Sequence, residues 1–159
     1  KSKTEEKMVA GELKLGVAIP DIKMIVSPDT KTIGKLQAWD VSKGTRVWAQ
    51  DFESHSFGPV LTTGGNLVFQ GGTNDRYFRA FDALSGKQLW QFRTNSGVTA
   101  VPISYMVDGV QYIAVQSGWG VDAERMQGSL IAAGYKGKNY DPAVPIPQGG
   151  VLWVFAVSK

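Results

Sequence analysis

"AWDVSKGTRVW" occupies residues 38–48, and "AFDALSGKQLW" occupies residues 80–90. Ala, Asp, Gly and Trp recur in register, 42 residues apart. A period of roughly 40–45 residues with four strands per unit is the spacing of propeller blades. Each phrase reads as a strand, a tight turn and a second strand. Leu36 and Ala38, like Phe78 and Ala80, alternate onto one face. Asp40 and Asp82 close their strands and can accept hydrogen bonds from turn amides. Gly44 and Gly86 supply the turn. Trp48 and Trp90 then fall on an outer strand, where a large ring can cover the seam to the next blade. Repeated aromatics of this kind are packing devices more often than ligand contacts.

Working outward, short aromatic and β-branched runs alternate with Gly, Asn and Asp turns, which is an all-β pattern. It predicts strands over 13–19, 36–40, 45–50, 58–63, 66–71, 77–82, 87–93, 98–103, 111–117 and 151–157. "TGGN" (63–66), "TNDR" (73–76) and "VDGV" (107–110) are hairpin signals. One short helix is expected near 122–133, with Asp122 as its N-cap. "KGKNYDPAVPIPQGG" (136–150) reads as an extended connector, because Pro142, Pro145 and Pro147 rule out a regular helix.

"GGVLWVFAV" (149–157) is a third, partial copy of the phrase, with Phe155 where Trp39 and Phe81 stand. No turn and Trp-bearing strand follow it. The segment 34–52 reads as the end of one blade and 58–93 as a complete blade. The remainder, 98–157, reads as a last blade lacking its outer strand, with an insertion over 118–150. Repeat proteins bury their faces against neighbours. The expectation is therefore an incomplete segment, the last blades, of a larger propeller, and "GELKLGVAI" reads as the interior of a longer chain.

Bulk properties narrow the function. The chain has 159 residues, 43 % of them hydrophobic and 19 % charged, enough to bury a core. A net charge of +3 from scattered basic residues is a poor signature for nucleic acid. There is no cysteine, which excludes a disulfide scaffold and a thiolate metal site within this chain. No apolar run approaches the roughly 20 residues of a membrane span. The opening stretch lacks the apolar core of a secretory signal, so a soluble chain with a mature or arbitrary start is expected.

The phrase A-x-D-x-x-x-G-x-x-x-W resembles the tryptophan-docking motif of the quinoprotein alcohol dehydrogenases, which use pyrroloquinoline quinone (PQQ). "GPVLTTGGNLVFQGGTNDRYFRAFDALSGKQLWQF" (58–92), "PISYMVDGVQYIAVQSGWG" (102–120) and "PQGGVLWVFAV" (147–157) resemble the last part of these enzymes, in the same order. The resemblance covers roughly residues 34–157. It implies an eight-bladed propeller whose last blade is completed by a strand from near the N-terminus. It also implies hydride removal from an alcohol to PQQ, an Asp base, and a Ca²⁺ or lanthanide ion acting as Lewis acid. The base, the metal ligands and the adjacent cysteines of the family all lie upstream of this segment. This polypeptide alone is therefore expected to lack catalytic residues and metal ligands. A periplasmic location, a cytochrome c-type electron acceptor, an alcohol substrate and the upstream part of the ring as partner follow from the same resemblance.

What the segment could supply is part of the cofactor and substrate pocket, since propeller loops converge at one mouth of the ring. Two loops look like the family's pocket loops, "ESHSFGPV" (53–60) and "SGWGVDAERMQG" (117–128). Phe57, Gly58, Trp119, Gly120 and Val121 are the cofactor-binding candidates. Many relatives carry Trp at the position of Phe57, so an indole N–H is replaced there by a plain aromatic wall. Gly118 and Gly120 permit close backbone approach. Phe57 and Trp119 also suit plain packing roles. His55, the only histidine, is expected at the surface or in a cap. Asp122, Glu124 and Arg125, and Asp75 and Arg76 at their turn, read as solvated loop residues.

Other readings place the chain elsewhere. One is a non-enzymatic scaffold of the outer-membrane β-barrel insertion machinery, which carries similar docking phrases. Such a scaffold would not need the "SGWG" loop or the long insertion after it. A WD40-type interaction module is weaker, because Trp-Asp occurs at 39–40 but is Phe-Asp at 81–82.

Overall fold

The computed structural model describes residues 25–157, without the side chains of Val121 and Asp122. The expected strand over 13–19 lies outside the described residues. Nine strands and one helix follow in order: β1 (Gly34–Asp40), β2 (Thr45–Phe52), β3 (Val60–Thr62), β4 (Leu67–Gln70), β5 (Tyr77–Asp82), β6 (Gln88–Arg93), β7 (Ile103–Val107), β8 (Val110–Ser117), α1 (Val121–Ala132) and β9 (Val151–Val157). They form three antiparallel meanders, β1-β2, β3-β4-β5-β6 and β7-β8-β9. All-β sheets stacked in this way resemble part of a propeller.

The two copies of the phrase fold alike. Asp40 Oδ1 accepts the amides of Ser42 (3.0 Å) and Lys43 (3.3 Å). Asp82 Oδ1 accepts those of Leu84 (3.2 Å) and Ser85 (2.7 Å). Hydrogen bonds from the Ser42 and Ser85 side chains hold both carboxyls below their ordinary range. Gly44 and Gly86 both adopt positive φ, 63° and 72°. Trp48 reaches out of its own sheet: its Nε1 donates to Ala83 O at 2.9 Å, in the turn of the next sheet. Gln50 Nε2 donates to Gly86 O beside it at 2.8 Å. Trp90 packs edge-on to Phe155 of β9, with ring centroids 5.0 Å apart.

Equal phrases therefore carry unequal loads. A Cβ on Gly86 would lie 2.6 Å from Trp48 Cδ2, whereas one on Gly44 meets nothing within 4 Å. Gly44→Ala should cost only its left-handed backbone, about 1 kcal/mol. Gly86→Ala should cost about 2–3 kcal/mol, because it also displaces a docked ring. Urea unfolding of the two variants measures the difference, and equal losses would refute the docking role of the Gly86 turn.

The core lies between the second and third meanders. Phe69, Phe78, Ala80, Val98, Ile113 and Val115 form it, and Phe78 and Ile113 are fully buried. Trp153 and Phe155 of β9 pack against it.

Three local expectations need correction. The strand expected over 98–103 is instead β7, Ile103–Val107. Asp108 and Gly109 turn with φ of 48° and 76°, so pairing runs directly into the turn, Val107 opposite Val110. Pro102, which has no amide to donate, stands just before that strand. Val98 makes only an isolated parallel bridge with Gly118. The expected helix forms, but it starts at Val121 with Gly120 as N-cap and no capping side chain. Asp122 lies inside the first turn of the helix. Gly128 is on the exposed side of the helix, while Ala123, Gln127 and Leu130 face inward. Finally, Asp75 is not simply solvated. Its carboxylate is ion-paired with the buried Arg79 and accepts from Thr73 Oγ1 at 2.6 Å. Arg76, at φ 67°, donates to Asn95 O at 3.3 Å.

Residues 136–150 form no helix or strand, but they are not simply extended: a turn closes with the Val144 amide donating to Asp141 O at 3.1 Å, and the segment is fastened. Glu53 accepts from Asn139 Nδ2 at 3.0 Å, Gln127 Nε2 donates to Val144 O at 2.9 Å, and Asn95 Nδ2 to Gly149 O at 3.1 Å.

Candidate functional site

The loop from β2 to β3 and the loop from β8 to α1 meet. In the first, Ser56 Oγ accepts from Gln70 Nε2 at 2.6 Å, and the Phe57 amide donates to Gly72 O at 3.0 Å. In the second, the Gly118 amide donates to Gly97 O at 2.7 Å, and Thr99 Oγ1 donates to Gly118 O at 2.9 Å. Each loop is thus tied by hydrogen bonds to the segment that follows a strand, Gly72 after β4 and Gly97 after β6.

The junction is a cluster of three rings. His55 meets Phe57 edge-on at 4.4 Å and stacks on Trp119 at 5.6 Å, 28° from parallel. Phe57 and Trp119 are 6.3 Å apart and nearly perpendicular. Trp119 is only 1 % exposed and packs with Ala123 and Ile146, whereas Phe57 is 37 % exposed. The packing role weighed for Trp119 is therefore present, and Phe57 is the ring that faces outward.

Not every candidate has room for a ligand. A Cβ on Gly58 would lie 2.5 Å from Gly71 O and 2.8 Å from Val98 O, so close packing explains that glycine. Gly118 and Gly120 have nothing within 4 Å of a Cβ position. Space lies open along the second loop, as close backbone approach requires. Val121 opens α1 beside it.

The residue underrated by sequence reasoning is His55. It is not a surface or capping group, since both ring nitrogens are shielded and neither has a hydrogen-bond partner. Trp119 Nε1 is likewise buried and unpaired. Native proteins leave few such atoms, and each costs about 1–3 kcal/mol. Burial lowers the His55 pKa from 6.5 to about 4, so the ring is neutral near pH 7. The signal available in the sequence was a lone histidine two residues before an aromatic one, in a loop already suspected.

A folded-state pKa below the unfolded value makes stability complete above pH 6.5 and lost as pH falls toward about 4. Allowing for the ring's partial solvent contact, the loss is about 1–2 kcal/mol. Denaturation midpoints at pH 7 and pH 4.5 should show it, and His55→Gln should flatten that limb. An unchanged limb in the variant would remove His55 as its source.

A cavity of about 380 Å³ opens on His55 and Phe57 and is walled by Val26, Ile33, Met126 and Leu130. Among the described residues, no three His, Cys, Asp or Glu side chains gather where they could hold a metal ion. No described helix is long and apolar enough to cross a membrane.

Comparisons with known proteins agree on one family. Residues 49–113 match the model described as "Glucose/ethanol/alcohol dehydrogenase, beta-propeller domain". The chain is 43 % identical over 123 residues to the quinoprotein ethanol dehydrogenase of Pseudomonas aeruginosa, covering 77 % of this chain and 18 % of that protein. A solved europium-containing methanol dehydrogenase superposes with a TM-score of 0.66 at 33 % identity, over 81 % of this chain and 24 % of its own. The quinohemoprotein alcohol dehydrogenase of Comamonas testosteroni superposes with a TM-score of 0.54 at 44 % identity, over 58 % and 14 %. The chain thus spans about a fifth of the length of the curated relatives it matches.

Proposed function

Since this chain belongs to the family of PQQ-dependent quinoprotein alcohol dehydrogenases, we propose that it is a segment of an enzyme that oxidises alcohols to aldehydes or ketones. In this reading it is the C-terminal portion of an eight-bladed ring in the periplasm, docked by its tryptophan phrases. The rest of the ring carries the catalytic Asp and the ligands of a Ca²⁺ or lanthanide ion, and a cytochrome c-type protein takes the electrons.

The segment's own task is to wall the pocket. Phe57 supplies one side, with Gly58 packed behind it, and Trp119, Gly120 and Val121 the other. The observation that carries this reading is the meeting of the two loops around unpaired donors. Trp119 Nε1–H is shielded and has no acceptor, and nothing lies within 4 Å of a Cβ position on the flanking Gly118 and Gly120. Those features fit a flat, oxygen-rich cofactor such as PQQ. When bound, PQQ supplies a two-electron acceptor. This chain's residues orient it: Trp119 offers a donor, Phe57 an apolar wall, and the packed rings exclude water.

Native mass spectrometry of the protein as isolated tests the proposal. The 17.2 kDa chain should travel with a larger polypeptide and with the added masses of a quinone and a metal ion. Trp119→Phe, which keeps a ring but removes the donor, should weaken PQQ retention about fivefold or more. A chain that travels alone, folded and cofactor-free, would overturn the reading.

A further inference from the structure

We propose that Tyr135 and Glu53 form a clamp that fixes the loop carrying His55 and Phe57 against α1, which makes Tyr135 a positioning residue for that wall. The clamp stands on the contacts below. Only its effect on turnover rests on the dehydrogenase reading above.

Three stretches far apart in the sequence wall the 380 Å³ cavity. They are the segment before β1, which contributes Ser27 and Thr30 as well as apolar residues, the loop with His55 and Phe57, and α1 with Met126 and Leu130. Apolar contact alone is non-directional and fixes no exact spacing between them. Directional bonds do, and the end of α1 is built to supply them. Gly134 takes φ of 71°, its amide donates to Ile131 O at 3.0 Å, and the Tyr135 amide donates to Leu130 O at 3.1 Å. That is a Schellman closure. It folds Tyr135 back into one cluster with Leu130 and Tyr140, against which Val26 and Ile33 pack. Tyr135 is buried, and its Oη lies 2.7 Å from Glu53 O and 3.1 Å from Lys31 O. One phenol proton is thus shared between a carbonyl of each of the other two walls. Burial, and then the Glu53 carboxylate, push the phenol above its ordinary value, so it stays a donor. Glu53 answers in the opposite direction. Its carboxylate accepts from Asn139 Nδ2 at 3.0 Å and from the Asn139 amide. A Cβ on Gly137 would lie 2.6 Å from Glu53 Oε2, so the chain after α1 leaves that place to the carboxylate. Loop and insertion therefore hold each other at two points. His55 and Phe57 stand two and four residues beyond Glu53, and a shift of the backbone there carries both rings with it.

Tyr135→Phe removes one oxygen and keeps the ring, so the packed cluster survives it. In the protein as isolated, hydrogen exchange should quicken about fivefold at the Ile33 amide, which donates to Phe52 O, and at the Asn139 amide. Exchange in β4 and β5 should stay as it was. His55 is this chain's sole histidine, so ring-¹⁵N histidine incorporated into this chain reads one residue, and its signals should shift in the variant. Glu53→Ala should produce the same changes. Glu53→Gln should restore most of them, because a flipped Asn139 side chain can face the new amide. Tyr135→Phe and Glu53→Ala combined should give less than the sum of their effects. Unmoved His55 signals in Tyr135→Phe, or exchange that quickens equally in β4 and β5, would overturn the proposal. PQQ-dependent oxidation of 1-butanol, assayed in the same preparations, separates the two ideas. On the dehydrogenase reading Tyr135→Phe should raise KM about threefold or more and leave kcat within about twofold. Oxidation with unmoved His55 signals sinks the clamp alone. Shifted His55 signals in the variant, with no oxidation even by the unaltered protein, sink the dehydrogenase reading and leave the clamp.

Discussion

Gly97→Ala should expel Trp119 from its place and cost about 2–4 kcal/mol, beyond an ordinary surface substitution. A Cβ at Gly97 would stand 2.0 Å from Trp119 Cε3 and 2.5 Å from Cζ3. The indole is a rigid plate at 1 % exposure, so it cannot bend aside as a lysine tip would. Moving it also disturbs the stack with His55 and the contacts with Ala123 and Ile146. Two readouts should therefore change together: the urea midpoint and, on the proposed dehydrogenase reading, the retention of PQQ. A double-mutant cycle isolates the cause. On a Trp119→Leu background the Gly97→Ala penalty should shrink by more than half, because the ring that it strikes is gone. Additive losses would show that Gly97 matters for another reason.

Gly72→Ala should be at least as damaging, roughly 3 kcal/mol or more, and should act on the other loop. Gly72 has φ of 89°, and its Cβ would fall 1.8 Å from the amide nitrogen of Gly58. The obstacle is backbone, so no rotamer change relieves it. Left-handed backbone strain of about 1–2 kcal/mol adds to the overpacking. The hydrogen bond from the Phe57 amide to Gly72 O would break as the loop is pushed off. Hydrogen exchange at the Phe57 amide is the direct measurement, and it should quicken far more than exchange in β1 and β2. Unchanged protection at Phe57 would refute the idea that Gly72 pins that loop.

The repeat could be read without a structure because local chemistry dictates it. Asp40 and Asp82 bond to amides two and three residues onward, and Gly44 and Gly86 turn within their own phrases. The strand β5 is likewise written in adjacent residues, although it buries Phe78, Arg79, Ala80 and Phe81 alike and not only the alternate pair Phe78 and Ala80. The aromatic wall at Phe57 and Trp119 was legible only as two separate loops that looked alike to pocket loops elsewhere. Their meeting depends on contacts between residues more than sixty positions apart, which no local pattern encodes. The same holds for β7. Its strand was misplaced because the apolar run at 98–103 is not one strand face: Val98 is buried against Gly71, Val101 and Ile103 are exposed, and Pro102 has no amide for a ladder.

His55 shows the division most plainly. As one polar residue in a loop, its type favours the surface. Its actual environment arises because Gly97 makes room for Trp119, Trp119 then shields the imidazole, and α1 closes the far wall of the cavity. By itself the sequence determined the all-β repeat, its turns, a short helix near 122–133 and the family, since each rests on residues close together or on a phrase repeated at one period. Only the tertiary structure decided which polar atoms lost their water, and burial is a property of the whole packed chain.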